Sequence, residues 1–317
     1  MAEPASNHRC KVMGIVNVTE DSFSDGGRWV NPDAAVAHAH DLIAAGADII
    51  DIGGESTRPG AIRVPAEQEL ARVVPVVKEL AAAGILVSVD TMRASVAEAS
   101  IEAGAALIND VSGGLADPDM LRVCAAGDIP VSLMHWKTDR FGSASGRAEV
   151  SDDIVVDVRD HLLSLVDDAV DAGIDERNII LDVGLGFAKN ADDNWALLKA
   201  LPEFVELGYP VLVGASRKRF VATVRGGEAV APQEADNATA AISALSAAAG
   251  AWAVRVHDVA PSRAAVDVAA AWTAGRALSG ATADGDYPTG GGNQAMQQAQ
   301  PEDGNQAAPD GEEPTHG

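Results

Sequence analysis

The sequence predicts an α/β fold of the (β/α)8 TIM-barrel type, and three observations predict it. Eight short β-branched runs recur along the chain. Longer Ala-rich stretches with apolar residues spaced three and four apart lie between them, the period of helices. The runs carry no alternating polar face, as expected of parallel strands buried on both sides.

In order, the strand runs are VMGIV (12–16), DIIDI (48–52), LVSVD (86–90), ALIND (106–110), VSLMH (131–135), NIILD (178–182), PVLVG (210–214) and AVRVH (253–257). The first helix is PDAAVAHAHDLIAAG, with Asp33 early in its first turn and Gly46 at its stop. The second, PAEQELARVVPVVKELAAAG, ends at Gly84 and carries Pro75, a residue that kinks helices. An open doubly wound sheet usually has fewer units and a Gly-rich phosphate loop after its first strand, whereas NVTEDS follows here. From residue 279 onward the chain is rich in Gly, Gln, Pro and Asp, with seven acidic residues and no Lys or Arg. Such a composition predicts a disordered acidic C-terminal tail. The expected organisation is an N-terminal extension over 1–10, the barrel over 11–278 and the tail over 279–317.

Composition narrows the function. With 317 residues, 47% hydrophobic, the chain can bury a large core. A formal net charge of −24 repels polyanions and argues against nucleic-acid binding. Cys10 and Cys124 stand far apart, so neither a disulfide framework nor a zinc knuckle is expected and a reducing cytoplasm is the default. No run of about 18 apolar residues occurs, which leaves no candidate membrane span or secretory leader.

In a barrel, chemistry gathers where strands end. Strand one ends at Asn17, two at Asp51, three at Asp90, four at Asn109 and Asp110, five at Met134 and His135, six at Asp182. Strand seven runs into ASRKR, and eight finishes with Arg255, His257 and Asp258. Taken singly, Asp51, Asp110 or Asp258 reads equally well as a helix cap or turn residue. Asp90, Asn109 and Asp182 supply acceptors and one amide, which suits a planar heterocycle with several N–H donors beside a carbonyl. Lys218, Arg255 and His257 suit an anion, and Asn17 suits an oxygen ligand to Mg2+ at a phosphate.

The loops NVTEDSFSDGG and GGESTRPGAIRV join Gly and Ser to Phe23, Pro59 and Arg58, the make-up of lids that close over a second substrate. Glu20 and Asp21 read as solvated or locally capping.

NVTEDSFSDGG, DIGGESTRPGA, SVDTMR, INDVSGG, LDVGLGFAK, VLVGASRKRF and VRVHDV, in that order over about residues 11 to 277, together resemble the dihydropteroate synthase family, and its actinobacterial type most of all. The resemblance implies a homodimeric, Mg2+-dependent transferase of folate biosynthesis in which 4-aminobenzoate displaces diphosphate from (7,8-dihydropterin-6-yl)methyl diphosphate. It implies pterin binding by Asp90, Asn109, Met134, Asp182 and Lys218, and diphosphate binding by Asn17, Arg255 and His257, with Asn17 also on the metal. It implies an aminobenzoate site of Phe23, Asp25, Thr57, Arg58 and Pro59, with Arg219 able to meet the carboxylate; the residues expected to act in catalysis are Asn17, Asp25, Arg58, Lys218, Arg255 and His257. Diphosphate departs first in such a scheme, and the neutral arylamine that attacks needs no strong base, so His257 is not read as one.

Two positions depart from many relatives, which have Pro at Val183 and Ser at Arg219. The uninterrupted STRPG segment implies sensitivity to sulfonamides, which mimic aminobenzoate. Three rivals share parts of the pattern. A pterin-binding methyltransferase has no need of the lid motifs, and an aldolase would use Lys218 or Lys189 as a Schiff base. A catalytically dead binding protein would have lost Asp25, Arg58, Lys218, Arg255 and His257, which are all present.

Overall fold

The computed structural model describes residues 9–19, 32–55, 63–138, 153–224 and 230–275. Eight parallel strands, β1 (Lys11–Asn17), β2 (Ile49–Gly53), β3 (Val87–Asp90), β4 (Leu107–Asp110), β5 (Val131–Met134), β6 (Ile179–Asp182), β7 (Val211–Val213) and β8 (Ala253–Val256), close into a barrel in sequence order. β1 pairs with both β2 and β8, so no edge is left open. Each strand lies within two residues of its sequence-predicted position.

Helices follow the strands: α1 (Pro32–Ala44), α2 (Ala66–Ala82), α3 (Ala94–Glu102), α4 (Met120–Gly127), α5 (Ile154–Asp171), the pair α6 (Ala191–Lys199) and α7 (Leu201–Val205), the pair α8 (Arg219–Ala222) and α9 (Asp236–Ala248), and α10 (Val259–Ala274). Their ends follow local chemistry. Asp153 accepts from Val155 N and Val156 N to start α5, and Asn190 with Asp193 forms a reciprocal box at α6. α2 runs through Pro75 as one helix. Pro75 and Ala71 are both exposed, so water can satisfy the carbonyl that the missing N–H leaves behind.

Each strand has two buried faces with different duties. One face, including Val12, Ile50, Val89, Ile108, Leu133, Leu181, Val213 and Val254, packs against the helices. The other points at the barrel axis, and its lower level is a cluster of Met13, Ile49, Leu107, Ile180, Leu212 and Ala253. Two residues further along that same face stand Ile15, Asp51, Asn109, Asp182, Gly214 and Arg255. On β2, β4, β6 and β8 the interior thus changes from apolar to polar within one step of the strand period, and the C-terminal mouth becomes the place where ionisable groups meet.

Candidate functional site

Arg255, on β8, is the centre of the mouth. Its Nε donates to Asp51 Oδ2 at 2.6 Å and its Nη2 donates to Asp90 Oδ2 at 2.6 Å. Asn109 Nδ2 donates to the same Asp51 oxygen at 3.3 Å. Burial opposes the charge on Arg255, but Asp51 and Asp90 outweigh it and hold the guanidinium protonated. Burial pushes the Asp90 carboxyl up to about 7; Arg255 pulls it down, while Asp51 adds to the rise. Nη1 carries no hydrogen bond among the described residues, which leaves a donor for a ligand.

The opposite wall is built from β6 and the loop behind it. Asp182 accepts from Gly184 N at 2.8 Å. Burial raises its pKa, against the pull of Lys218 and of that N–H. Lys218 reaches over the Phe187 ring, 4.8 Å from its centroid, and donates to Leu185 O. Its pKa falls to about 8 through burial, with Asp182 opposing the fall. Phe187 packs against Trp136 at 5.0 Å, and Trp136 joins Met92, Val111 and Met134 in a small apolar cluster. An aromatic and thioether wall beside carboxylates suits a flat polar ring. The loop depends on two glycines in the left-handed region: a Cβ on Gly184 (φ +68) would lie 2.0 Å from His135 O, and one on Gly186 (φ +77) would lie 2.8 Å from the Lys218 stem.

A third group forms where β7 and β8 end. Ser216 Oγ lies 3.0 Å from His257 Nδ1 and accepts from His257 N at 3.1 Å. Arg217, at φ 57, is clamped by two hydrogen bonds to Asp236 at 3.0 and 2.8 Å. That clamp fixes the turn, so Ser216 points inward on one side and Lys218 on the other.

The structure brings Asp90, Asn109, Asp182, Met134, Lys218, Arg255 and Asn17 to one end of the barrel, with His257 just past β8. Asn17 is half-buried, its Oδ1 beside Gly53. Arg219 opens α8, exposed to solvent, without an ion pair among the described residues. Phe23, Asp25, Thr57, Arg58 and Pro59 lie outside the described residues, as does the acidic tail. Asp110 is a turn residue, accepting from Ser112 N, Ser112 Oγ and Gly114 N at 2.7–2.8 Å. Asp51 is no cap: it is the fully buried partner of Arg255. Residues that the sequence left unassigned complete the frame. Arg93 joins Glu55, Glu69 and Val64 O around Thr91, next to Asp90.

Among the described residues, no cluster of three or more His, Cys, Asp or Glu able to hold a metal occurs. The oxygen donor at the anion end is the Asn17 carboxamide. One neutral oxygen fits Mg2+, which commonly relies on few protein ligands plus substrate phosphates.

The chain matches the family model described as pterin binding enzyme over residues 13–257. It is 54% identical to the dihydropteroate synthase of Mycobacterium leprae (strain TN) over 267 residues, 83% of this chain and 93% of that protein. The Xanthomonas albilineans dihydropteroate synthase is similar in two solved structures. With 4-aminobenzoic acid it is 44% identical at a TM-score of 0.77, covering 86% of this chain and 95% of that one. With 7,8-dihydropteroate it is 42% identical at a TM-score of 0.74, covering 86% and 96%. The Yersinia pestis dihydropteroate synthase in a sulfonamide drug complex is 40% identical at a TM-score of 0.78, covering 85% and 96%.

The contact between Asp51 and Asp90 through Arg255 generates a prediction. Asp51→Asn keeps an acceptor for Arg255 but removes a negative charge that raises Asp90, so the Asp90 pKa falls. Carboxyl-carbon NMR titration of the two proteins measures this; an unchanged or higher Asp90 pKa contradicts it.

Proposed function

The chain belongs to the pterin-binding enzyme family and has the dihydropteroate synthase activity of its relatives, and from that premise we propose how its own residues divide the reaction. The substrates are (7,8-dihydropterin-6-yl)methyl diphosphate and 4-aminobenzoate, and the products are 7,8-dihydropteroate and diphosphate. The observation that carries the assignment is the pairing of buried carboxylates, Asp90 and Asp182, with an amide, Asn109, against the wall of Met134 and Phe187. Asp90 and Asp182 accept from the ring N–H groups, Asn109 reads a mixed donor–acceptor edge, and Lys218 donates to the ring carbonyl while lying on Phe187. At the other end Asn17, Arg255 and His257 take the diphosphate, with Ser216 setting the plane of the His257 ring.

In this reading the methylene C–O bond breaks with its electron pair leaving on diphosphate, and the arylamine nitrogen then forms the C–N bond and loses a proton. Mg2+, when bound at Asn17, supplies charge neutralisation at the leaving phosphates. Arg255 does the same from its free Nη1 and is already oriented by two carboxylates. Asp90 and Asp182 favour positive charge on the ring as the bond breaks. Phe23, Asp25, Thr57, Arg58 and Pro59, with Arg219, form the aminobenzoate side. Lys189 does not suit Schiff-base chemistry, since its ammonium is enclosed by four acceptors.

The catalytic unit spans 11–278 and works as a homodimer in the cytoplasm. α9 and α10 support the dimer: they leave Leu245 72%, Val268 63% and Trp272 85% exposed, an apolar surface that a second copy would cover. Both cysteines are free and buried, in keeping with a reducing compartment. No helix of the described residues is long and apolar enough to cross a membrane.

Asp90→Asn should abolish pterin binding by calorimetry, and Arg255→Ala should lower turnover about 100-fold or more in a diphosphate-release assay. The same assay should stop on addition of a chelator and resume with Mg2+; turnover that ignores the chelator removes the metal from the scheme. A chain ending at residue 279 should sediment as a dimer with unchanged turnover, and Trp272→Asp should shift it toward monomer. A sulfonamide should inhibit in competition with 4-aminobenzoate, and inhibition insensitive to aminobenzoate concentration would contradict that placement.

A further inference from the structure

One half-buried cation has no part in the reaction as proposed. Lys189 closes the loop after β6, and its Nζ lies 2.9 Å from His135 Nδ1, donates to Gly184 O at 3.0 Å and Phe187 O at 3.2 Å, and reaches His135 O at 3.4 Å. These acceptors belong to two elements: His135 follows β5, and Gly184 and Phe187 lie on the loop itself. The loop therefore folds back on the end of β5 around one ammonium. Close packing there leaves no slack, since any side chain on Gly184 would strike His135 O.

That same loop supplies most of what orients the pterin end. Gly184 N donates to Asp182, Leu185 O accepts from Lys218, and the Phe187 ring lies between Lys218 and Trp136. Ala188, immediately before Lys189, is held at φ 48, an uncommon conformation for a residue with a Cβ. A conformation of that kind persists where the surroundings enforce it, and the Lys189 contacts do so here.

We propose that Lys189 is a positioning residue for the pterin end of the site: its ammonium ties the loop after β6 to the end of β5 and so places Asp182, Phe187 and Lys218. The inference rests on the reading of Asp182 and Lys218 as pterin-binding groups.

Charge adds a readout that packing alone does not give. The groups around the ammonium are Asp182, Asp193, Asp157, Lys218, His135 and His161. Burial keeps His135 neutral, its pKa pushed down to about 2 with Lys189 contributing, so the imidazole accepts from the ammonium and adds no charge. Burial likewise lowers Lys189, to about 7, against the pull of Asp182. The lysine charge helps keep Asp182 ionised. Removing it raises the Asp182 pKa, so pterin binding is lost at a higher pH on the acid side.

The test uses the full-length protein and 7,8-dihydropteroate as probe, with affinity measured by calorimetry across pH. Lys189→Met should weaken binding about tenfold, equivalent to about 1.4 kcal/mol. It should raise the KM for the pterin diphosphate, leave the KM for 4-aminobenzoate unchanged, and move the acid limb to higher pH. Lys189→Arg, which keeps the charge, should leave the acid limb in place. If Lys189→Met does not fold, Lys189→Gln carries the same measurement. Wild-type affinity and acid limb in Lys189→Met, alongside weakened binding in Lys218→Met, would overturn the positioning role alone. Unchanged affinity in Lys218→Met would overturn the reading of the pterin end, and the inference with it.

Discussion

Everything at the mouth of the barrel depends on Arg255 standing between Asp51 and Asp90. Two carboxylates at 0% and 8% exposure face one interior, where burial and the Asp51 charge both raise the Asp90 pKa and Arg255 pulls it down. Arg255 meets both at 2.6 Å and joins β8 to β2 and β3 across the barrel axis. Such a triad is weak evidence for stability, because desolvation offsets much of the attraction, whereas removing one member typically costs about 3–5 kcal/mol. Its value is positional. The guanidinium cannot swing toward solvent, and Nη1 is left to meet a ligand in one orientation.

The barrel itself was legible because a parallel sheet covered by helices imposes one pattern on every strand. Both faces are apolar, and the strands fall within two residues of the runs read from the sequence. The site was legible in outline for a related reason. On the axis-facing side the four even-numbered strands change from apolar to polar in a single i, i+2 step, from Ile49 to Asp51, Leu107 to Asn109, Ile180 to Asp182 and Ala253 to Arg255. Strand-end position therefore carried information that residue type alone lacked.

What escaped the sequence was pairing. Asp51 reads equally well as a cap, and only the closed barrel brings it to Arg255, 204 residues away. In the sequence Lys189 reads only as the Schiff-base lysine of a rival aldolase, and its contact with His135, 54 residues earlier, cannot be read there. Ser216 and His257 are separated by 41 residues. Asp110 shows the opposite outcome, a strand-end carboxylate whose partners are all local. Capping obeys short-range rules that a sequence displays, while long-range ion pairs are created by barrel closure.

The division of charge explains why, among the described residues, no base is aimed at a reacting proton. His135 is neutral and turned to Lys189, and His257 is held through Ser216. Lys218 is occupied by Leu185 O and the Phe187 face. Each of these three groups is engaged in orientation. A reaction in which diphosphate leaves and a neutral amine arrives places its demand on charge separation, with anion stabilised at one end of the ligand and cation at the other. Carboxylates whose ionised form burial opposes gain when positive charge develops against them, because the ring charge favours that form. Burial raises both Asp90 and Asp182, so both respond in this way.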